Sequence, residues 1–338
     1  MIEIEGSGRF FECGEDETVL HAALRSGIGL PYECSSGSCG TCLVQRVAGS
    51  FETLWEEAPG LSPRARQKGD RMLACQSRPR TSATIKASLD ERYRPPVPPT
   101  MQTGELKDIE RLTPDMAEFT FKTRAPARFA PGQYILLSVA SEVRGARAYS
   151  MSNLSNAEGD WRMVVKHKPG GACTSYLFDR LDVGGMVRVA GPYGLAYLRE
   201  GCERDLVGIA GGSGISPILS IVRKALLEEP ARNRGVHLFL GGRSPADIVD
   251  PRRFEDIRER ADGRLHFYPA ISEPAGVSAE EWSGDRGFIH EIVAQRAPGT
   301  IRDSEVFVAG PPPMIRETLI TLSNLGVPRE RIHFDNFF

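Results

Sequence analysis

The sequence predicts a multidomain fold: a small N-terminal domain of mixed strands and helix, then an antiparallel β-barrel, then an α/β domain built on a parallel sheet. Three observations carry this. The run Arg92-Tyr93-Arg94-Pro95-Pro96-Val97-Pro98-Pro99-Thr100 is too proline-rich for a helix or an inner strand and reads as an extended, semi-rigid linker. After it come short strands separated by Pro/Gly turns, the pattern of a small barrel. From about residue 200 strands alternate with helices, which implies a parallel sheet covered on both faces. The boundaries fall at 1–90, a linker at 91–100, 101–199 and 200–338.

In the first segment Met1–Glu5 alternates as a strand does, and Thr41–Val47 is a second strand running into a Gly-Ser turn. Between them Thr18–Ser26 predicts a helix: Thr18 can cap it, Leu20 and Leu24 share a face, and Gly27 and Gly29 end it. Barrel strands are expected at Phe119–Lys122, Tyr134–Val139, Trp161–His167 and Met186–Val189. The last segment reads as strands Leu206–Ala210, Val236–Leu240, Leu265–Ala270 and Val306–Ala309. Helices alternate with them at Ser216–Glu228, Arg252–Arg260, Gly287–Ala294 and Met314–Leu325.

A chain of 338 residues is too long for one simple core. Its net charge of −2, with no long run of one sign, gives no support to nucleic-acid binding or attachment to a membrane surface. It contains no apolar stretch of spanning length, and its start lacks the basic-then-apolar pattern of a signal peptide, so a cytoplasmic protein is expected. In that compartment seven cysteines are not a disulfide framework.

Four of the cysteines form a pattern. Cys34 and Cys39 enclose four residues, Cys39 and Cys42 two, and Cys75 follows after a long gap. This C-x4-C-x2-C…C spacing is that of plant-type [2Fe–2S] centres, where a loop wraps the cluster and a distant segment supplies the last thiolate. Gly37 and Gly40 would let backbone N–H groups approach the sulfurs. A structural zinc site is the alternative, but such sites pair their cysteines as two short knuckles, and here the fourth ligand stands alone. Cys13, Cys173 and Cys202 read as ordinary small buried residues.

Further signatures follow in order. Pro131-Gly132-Gln133-Tyr134 precedes Arg147-Ala148-Tyr149-Ser150, a set that could neutralise a phosphate, cover a flavin ring and hydrogen-bond near its N5. Pro169-Gly170-Gly171-Ala172-Cys173-Thr174 leads into a helical stretch, Ser175–Asp179, where exposed amides and Thr174 could hold a pyrophosphate; a plain hairpin turn is the alternative. Gly211-Gly212-Ser213-Gly214-Ile215-Ser216-Pro217 links a strand to a helix, as a dinucleotide-binding turn does, without the full G-x-G-x-x-G. Ala309-Gly310-Pro311-Pro312-Pro313-Met314 makes a rigid turn at the carboxyl end of a later strand, where ligands gather in open α/β sheets. After the second strand of that sheet, Arg243 could meet a 2′-phosphate, whereas Asp247 could accept the ribose hydroxyls of NADH. The six histidines read as packing or surface residues.

Taken in this order, the motifs resemble those of the iron–sulfur flavoprotein reductases of bacterial multicomponent aromatic-ring oxygenases, such as carbazole dioxygenase and toluene monooxygenase systems. Leu54-Trp55-Glu56-Glu57-Ala58-Pro59-Gly60-Leu61 and the ending Ile332-His333-Phe334-Asp335-Asn336-Phe337-Phe338 add to the likeness, which covers almost the whole chain. The resemblance implies a ferredoxin-like β-grasp domain, an FAD-binding barrel and a ferredoxin reductase-like NAD domain. It implies that Arg147, Tyr149 and Ser150 hold FAD, with Ser150 at N5, and that Gly171 and Thr174 contact its phosphates. Gly211, Gly212, Gly214, Gly310 and Pro311 would bind the nicotinamide nucleotide, NADH rather than NADPH. Phe337 or Phe338 would stack on the flavin. Electrons would pass from NADH through FAD to the cluster, flavin converting a two-electron hydride into single electrons. The acceptor would be a Rieske ferredoxin or the terminal oxygenase itself, docked on a rim of Ser35, Ser36 and Ser38. A similar reductase for a deoxysugar dehydratase and a non-enzymatic redox sensor are the competing readings. Many relatives carry Cys before the Gly-Pro-Pro turn; here it is Ala309.

Overall fold

The computed structural model describes residues 1–143, 145–228 and 234–335. Strands β1 (Ile2–Ile4), β2 (Arg9–Phe11), β3 (Leu43–Ala48), β5 (Arg71–Leu73) and β7 (Ala83–Lys86) form one sheet in the order β2-β1-β7-β3-β5, while β4 (Phe51–Thr53) and β6 (Ser77–Pro79) pair beside it. Helix α1 (Val19–Arg25) buries Val19, Leu20, Ala23 and Leu24 in the core of this sheet, in the manner of a β-grasp. Thr18 caps it as the sequence predicts, its hydroxyl accepting from the His21 N–H at 3.2 Å. A second short helix, α2 (Pro63–Lys68), begins behind Ser62 with proline in its first turn.

The middle of the chain forms a six-stranded antiparallel sheet from β8 (Thr100–Thr113), β9 (Met116–Lys122), β10 (Tyr134–Ser138), β11 (Arg147–Ser150), β12 (Asp160–Lys166) and β13 (Met186–Tyr193), ordered β11-β10-β13-β8-β9-β12. The sheet curls so that β11 and β12, its two ends, approach each other around the core. Alternation explains which side faces in: Ala117, Phe119 and Phe121 are buried along β9, and the residues between them are more exposed. Trp161 is buried in this core with its indole N–H donated to Thr123 Oγ1 at 3.0 Å. Helix α3 (Ala172–Asp179) closes one end of the barrel, Cys173 and Leu177 facing inward.

The last part is a parallel sheet of β14 (Leu206–Gly211), β15 (Val236–Gly242), β16 (Leu265–Ile271), β17 (Asp285–Arg286), β18 (Glu305–Ala309) and β19 (Ile332–His333), ordered β17-β16-β15-β14-β18-β19. Helices α4 (Ile215–Arg223) and α5 (Glu255–Ala261) cover one face, and α6 (Ile289–Arg296) and α7 (Pro312–Asn324) the other. Strand β14, central and buried along its whole length, is apolar throughout for that reason. The helix expected to run to Glu228 is regular only to Arg223 and continues as one wider turn over Lys224–Glu228.

The proline segment is not a free spacer. Tyr93 is buried, 6.1 Å from the Tyr32 ring, and a side chain on Gly29 would collide with the Asp90 carbonyl at 2.2 Å, so the segment's start lies directly on the first domain. Sequence showed the linker's stiffness but not these contacts. Among the described residues no helix is long and apolar enough to cross a membrane.

Candidate functional site

The loop between α1 and β3 brings Cys34, Cys39 and Cys42 to Cys75, which lies in a short turn after β5. Its course depends on glycine. Gly40 has φ +83°, and a Cβ there would stand 2.7 Å from the Gly60 carbonyl oxygen. The N–H groups of Ser36 and Cys39 point at Cys34 Sγ, at 3.5 and 3.4 Å. The four thiols form two pairs: Cys34 with Cys39 by a side-chain hydrogen bond, and Cys42 with Cys75 at 3.2 Å between sulfurs. The Cys39 thiol and these N–H groups draw the Cys34 thiol down to about 4, against the effect of burial. Cys75 is pushed well above the usual thiol range by its bond with Cys42 and by burial.

Two cysteine pairs fit two irons, each taking two thiolates. Cys13, Cys173 and Cys202 lie apart; Cys13 donates to Glu17 O, and Cys173 accepts from the Tyr149 hydroxyl at 3.3 Å.

A cavity of about 900 Å³ separates the barrel from the parallel sheet. On one side stand Tyr149 and Ser150 of β11, with Lys166 and Lys168. On the other are Gly211, Gly212 and Gly214, Asp247, and the Gly310-Pro311 turn. The barrel and nucleotide residues singled out in sequence therefore share one space, with three exceptions among those described. Arg147 is exposed at the start of β11, outside the lining. Gly171 caps α3, and Thr174 is engaged with its own turn, its hydroxyl accepting from the Lys168 N–H at 3.1 Å and lying 3.1 Å from Gly171 O. That turn adjoins Lys168 and Pro169, which do line the cavity. Phe337 and Phe338 lie outside the described residues.

The two nucleotide turns touch. A Cβ on Gly214 would fall 2.1 Å from the Ala309 carbonyl oxygen, and one on Gly211 would fall 2.5 Å from Met314 Sδ. Helix α4 is fixed to the barrel by serines: Ser216 Oγ donates to Ser150 O at 2.7 Å and accepts from the Val164 N–H at 3.0 Å, and Ser220 Oγ donates to Asn153 O at 2.7 Å. Asp247 is already partnered. Its Oδ2 accepts from the Ser244 N–H and hydroxyl, each at 3.0 Å, and its Oδ1 from Lys166 Nζ at 3.3 Å. Burial alone would raise this carboxyl, but the Ser244 and Lys166 hydrogen bonds outweigh it and hold the group below its ordinary value. Lys166 also meets Asp115 at 2.9 Å. Arg243 is exposed and only 4.0 Å from Asp247.

Strand β19 leads the chain back to the cavity. His333 stacks on Phe307 and meets Glu305 at 2.6 Å, and Asp335 lines the cavity wall. Asp335 Oδ1 accepts from the Leu195 N–H at 3.2 Å; burial pushes its carboxyl up to about 6, with the Leu195 and Ala196 amides opposing the rise.

Sequence reasoning missed the residues that join the first domain to the barrel. Tyr134 donates to the Glu33 carbonyl and lies 3.0 Å from Ser35 Oγ; Tyr193 meets His21 Nδ1; the Gly194 N–H donates to Tyr32 Oη at 3.3 Å. The string Pro131-Gly132-Gln133-Tyr134 was a signal for Tyr134, but only for its strand. The placement also corrects the docking rim. Ser35 is buried and faces the barrel, while Ser36 and Ser38 are half-exposed. Leu43, Leu54 and Trp55 are exposed around the same loop, and the Trp55 ring borders Gly37.

Comparison with known proteins agrees with this layout. Residues 2–80 match the profile of the 2Fe-2S iron–sulfur cluster binding domain, residues 103–197 that of the oxidoreductase FAD-binding domain, and residues 209–319 that of the oxidoreductase NAD-binding domain. The chain is 38% identical to the ferredoxin–NAD(P)+ reductase CarAd of Metapseudomonas resinovorans, over 100% of this chain and 99% of that protein. It is 38% identical to the ferredoxin–NAD+ reductase component of the alkene monooxygenase system of Xanthobacter autotrophicus, over 98% of each. The solved structure of the ferredoxin reductase in carbazole 1,9a-dioxygenase superposes with a TM-score of 0.88 at 36% identity, covering 100% of this chain and 98% of that one.

Proposed function

Because the chain belongs to the three-domain ferredoxin–NAD(P)+ reductases that serve bacterial oxygenase systems, we propose that it is the NADH-dependent reductase of such a system, passing electrons singly to a Rieske ferredoxin or to the terminal oxygenase. The observation that carries the reading is the shared cavity, in which Tyr149 and Ser150 face the Gly211–Gly214 and Gly310-Pro311 turns while the cysteine pairs lie beyond Tyr134. When bound, FAD supplies the exchange between a two-electron donor and a one-electron acceptor. The rest is the chain's own work.

Ser150 would present its hydroxyl to the flavin N5 edge, and Tyr149 would cover the ring. Arg147, Gly171 and Thr174, which flank the cavity lining and do not form it, would meet the FAD phosphates, with Lys168 on the lining itself. Gly211, Gly212 and Gly214 would admit the nucleotide pyrophosphate at the start of α4, and the Gly310-Pro311 turn would lie against the nicotinamide. Ala309 brings no thiol there, so hydride transfer cannot rely on one. Phe337 or Phe338, as the resemblance implies, would stack on the flavin. Cys34 and Cys39 would hold one iron, and Cys42 and Cys75 the other. We take 1–90, 101–199 and 200–338 as the three domains, joined by 91–100, and place the protein in the cytoplasm.

The acceptor docks where Ser36, Ser38 and the exposed Leu54-Trp55 edge surround the cluster loop. The test is NADH-driven reduction of cytochrome c by the purified holoprotein. A red-brown protein unable to carry it out would favour the redox-sensor reading. Ser36→Asp should slow reduction of the partner and leave ferricyanide reduction unchanged; equal loss of both would remove the docking site from this loop.

A further inference from the structure

Tyr134 links the strand that pairs with Ser150 to the loop that carries Cys34. Its backbone lies in β10, opposite Ser150 of β11 in the strand register. Its side chain leaves the barrel and packs, fully buried, in the core of the first domain. There its hydroxyl donates to the carbonyl of Glu33 and lies 3.0 Å from Ser35 Oγ, the residues on either side of Cys34. The ring lies 5.9 Å from Tyr193, which meets His21 of α1, and Tyr32 accepts from Gly194 in return. Three tyrosine hydroxyls thus cross one domain boundary, two from the barrel and one from the cluster domain. Each is buried and partnered, so separating the domains would break all three bonds together.

We propose that Tyr134 is a positioning residue for flavin-to-cluster transfer: it clamps the cluster loop to the flavin strand, so that electrons cross with the domains docked and not after a swing about the proline segment. This rests on the function proposed above. In each transfer one electron leaves the reduced flavin and one ferric iron becomes ferrous; Tyr134 gains and loses neither electron nor proton. The linker agrees with a fixed arrangement, since Tyr93 is buried beside Tyr32 and the Asp90 carbonyl leaves no room for a side chain on Gly29.

The experiment compares full-length wild type with Tyr134→Phe, which removes only the hydroxyl, and with Ser35→Ala, which removes one of its partners. After anaerobic mixing of holoprotein with NADH, the flavin-to-cluster phase is measured relative to the NADH-to-flavin phase. Amide hydrogen exchange is followed across Glu33–Cys39. Tyr134→Phe should slow the cluster phase at least tenfold at equal iron content and speed exchange in that segment at least tenfold; Ser35→Ala should shift both the same way, by less. A cluster phase within twofold of wild type, or unchanged exchange, overturns the proposal. If wild-type cluster is never reduced through flavin, the proposed function fails, while the exchange comparison still decides whether Tyr134 clamps the loop.

Discussion

Replacing Gly214 with alanine tests whether the two nucleotide turns work as one unit. Gly214 has φ −59° and ψ −14°, an ordinary helical conformation, so alanine brings no backbone strain. The obstacle is space. The added methyl would lie 2.1 Å from the Ala309 oxygen, 2.4 Å from its carbonyl carbon and 2.8 Å from Gly310 N, all backbone atoms that no rotamer change can move. Non-bonded heavy atoms settle near ~3.5 Å, so one turn must retreat by roughly 1 Å. Helix α4 is held from behind by Ser216 and Ser220, and the shift therefore falls on the Gly310-Pro311 turn. Overpacking of this kind costs about 1–3 kcal/mol of stability. A displacement of about 1 Å at a reacting site costs on the order of a hundredfold in rate. Steady-state NADH oxidation with ferricyanide should show kcat/KM reduced by about 30- to 100-fold with FAD content unchanged, and urea unfolding should show a lowered midpoint. Gly299→Ala, where the methyl meets nothing within 4 Å, is the control and should be neutral. A folded Gly214→Ala protein within twofold of wild type would refute the coupling of the turns.

Cys75→Ser should abolish the cluster's visible bands and cytochrome c reduction while NADH–ferricyanide activity persists; retention of cytochrome c reduction would show the relay bypasses this ligand. Acid should weaken the fold at the domain junction. Burial holds His21 down to about 4 against an ordinary value of 6.5. The unfolded chain therefore binds the proton first, and stability is lost as pH falls from about 6.5 toward about 4, by up to about 3 kcal/mol. Urea midpoints at several pH values should show this slope, and His21→Gln should flatten it; an unaltered slope would count against it. NADH should give a higher kcat/KM than NADPH, because the Asp247 carboxylate disfavours a 2′-phosphate. Asp247→Ser should narrow that preference about tenfold, equivalent to about 1.4 kcal/mol, and an unchanged ratio would assign selectivity elsewhere.

Much of this was legible because it rests on local chemistry. Cysteine spacing announced the cluster, and the structure resolves it into two pairs. Apolar runs flanked by glycine turns announced β14, β15 and β18 within a residue or two. Strand β8 was missed because it follows the prolines and mixes exposed and buried residues without clean alternation. Asp247 read as a free ribose acceptor because the Ser244 cap and the Lys166 contact come from the folded turn and from another domain. Ser35 read as rim for a similar reason: only the folded chain brings Tyr134, 99 positions away, to its hydroxyl. Buried tyrosines at a domain junction look in sequence like ordinary core residues, and their hydroxyls acquire meaning only when the opposite domain supplies the partner.

The central claim is the order of electron flow, and one anaerobic rapid-mixing experiment tests it most directly. Holoprotein mixed with NADH is followed at the flavin band and by the spin signal of the reduced cluster. The account predicts that the flavin is bleached first, the cluster signal grows afterwards, and protein stripped of FAD shows no cluster reduction. Cluster reduction at an equal rate without FAD, or a bleached flavin beside a cluster that stays oxidised, would contradict it.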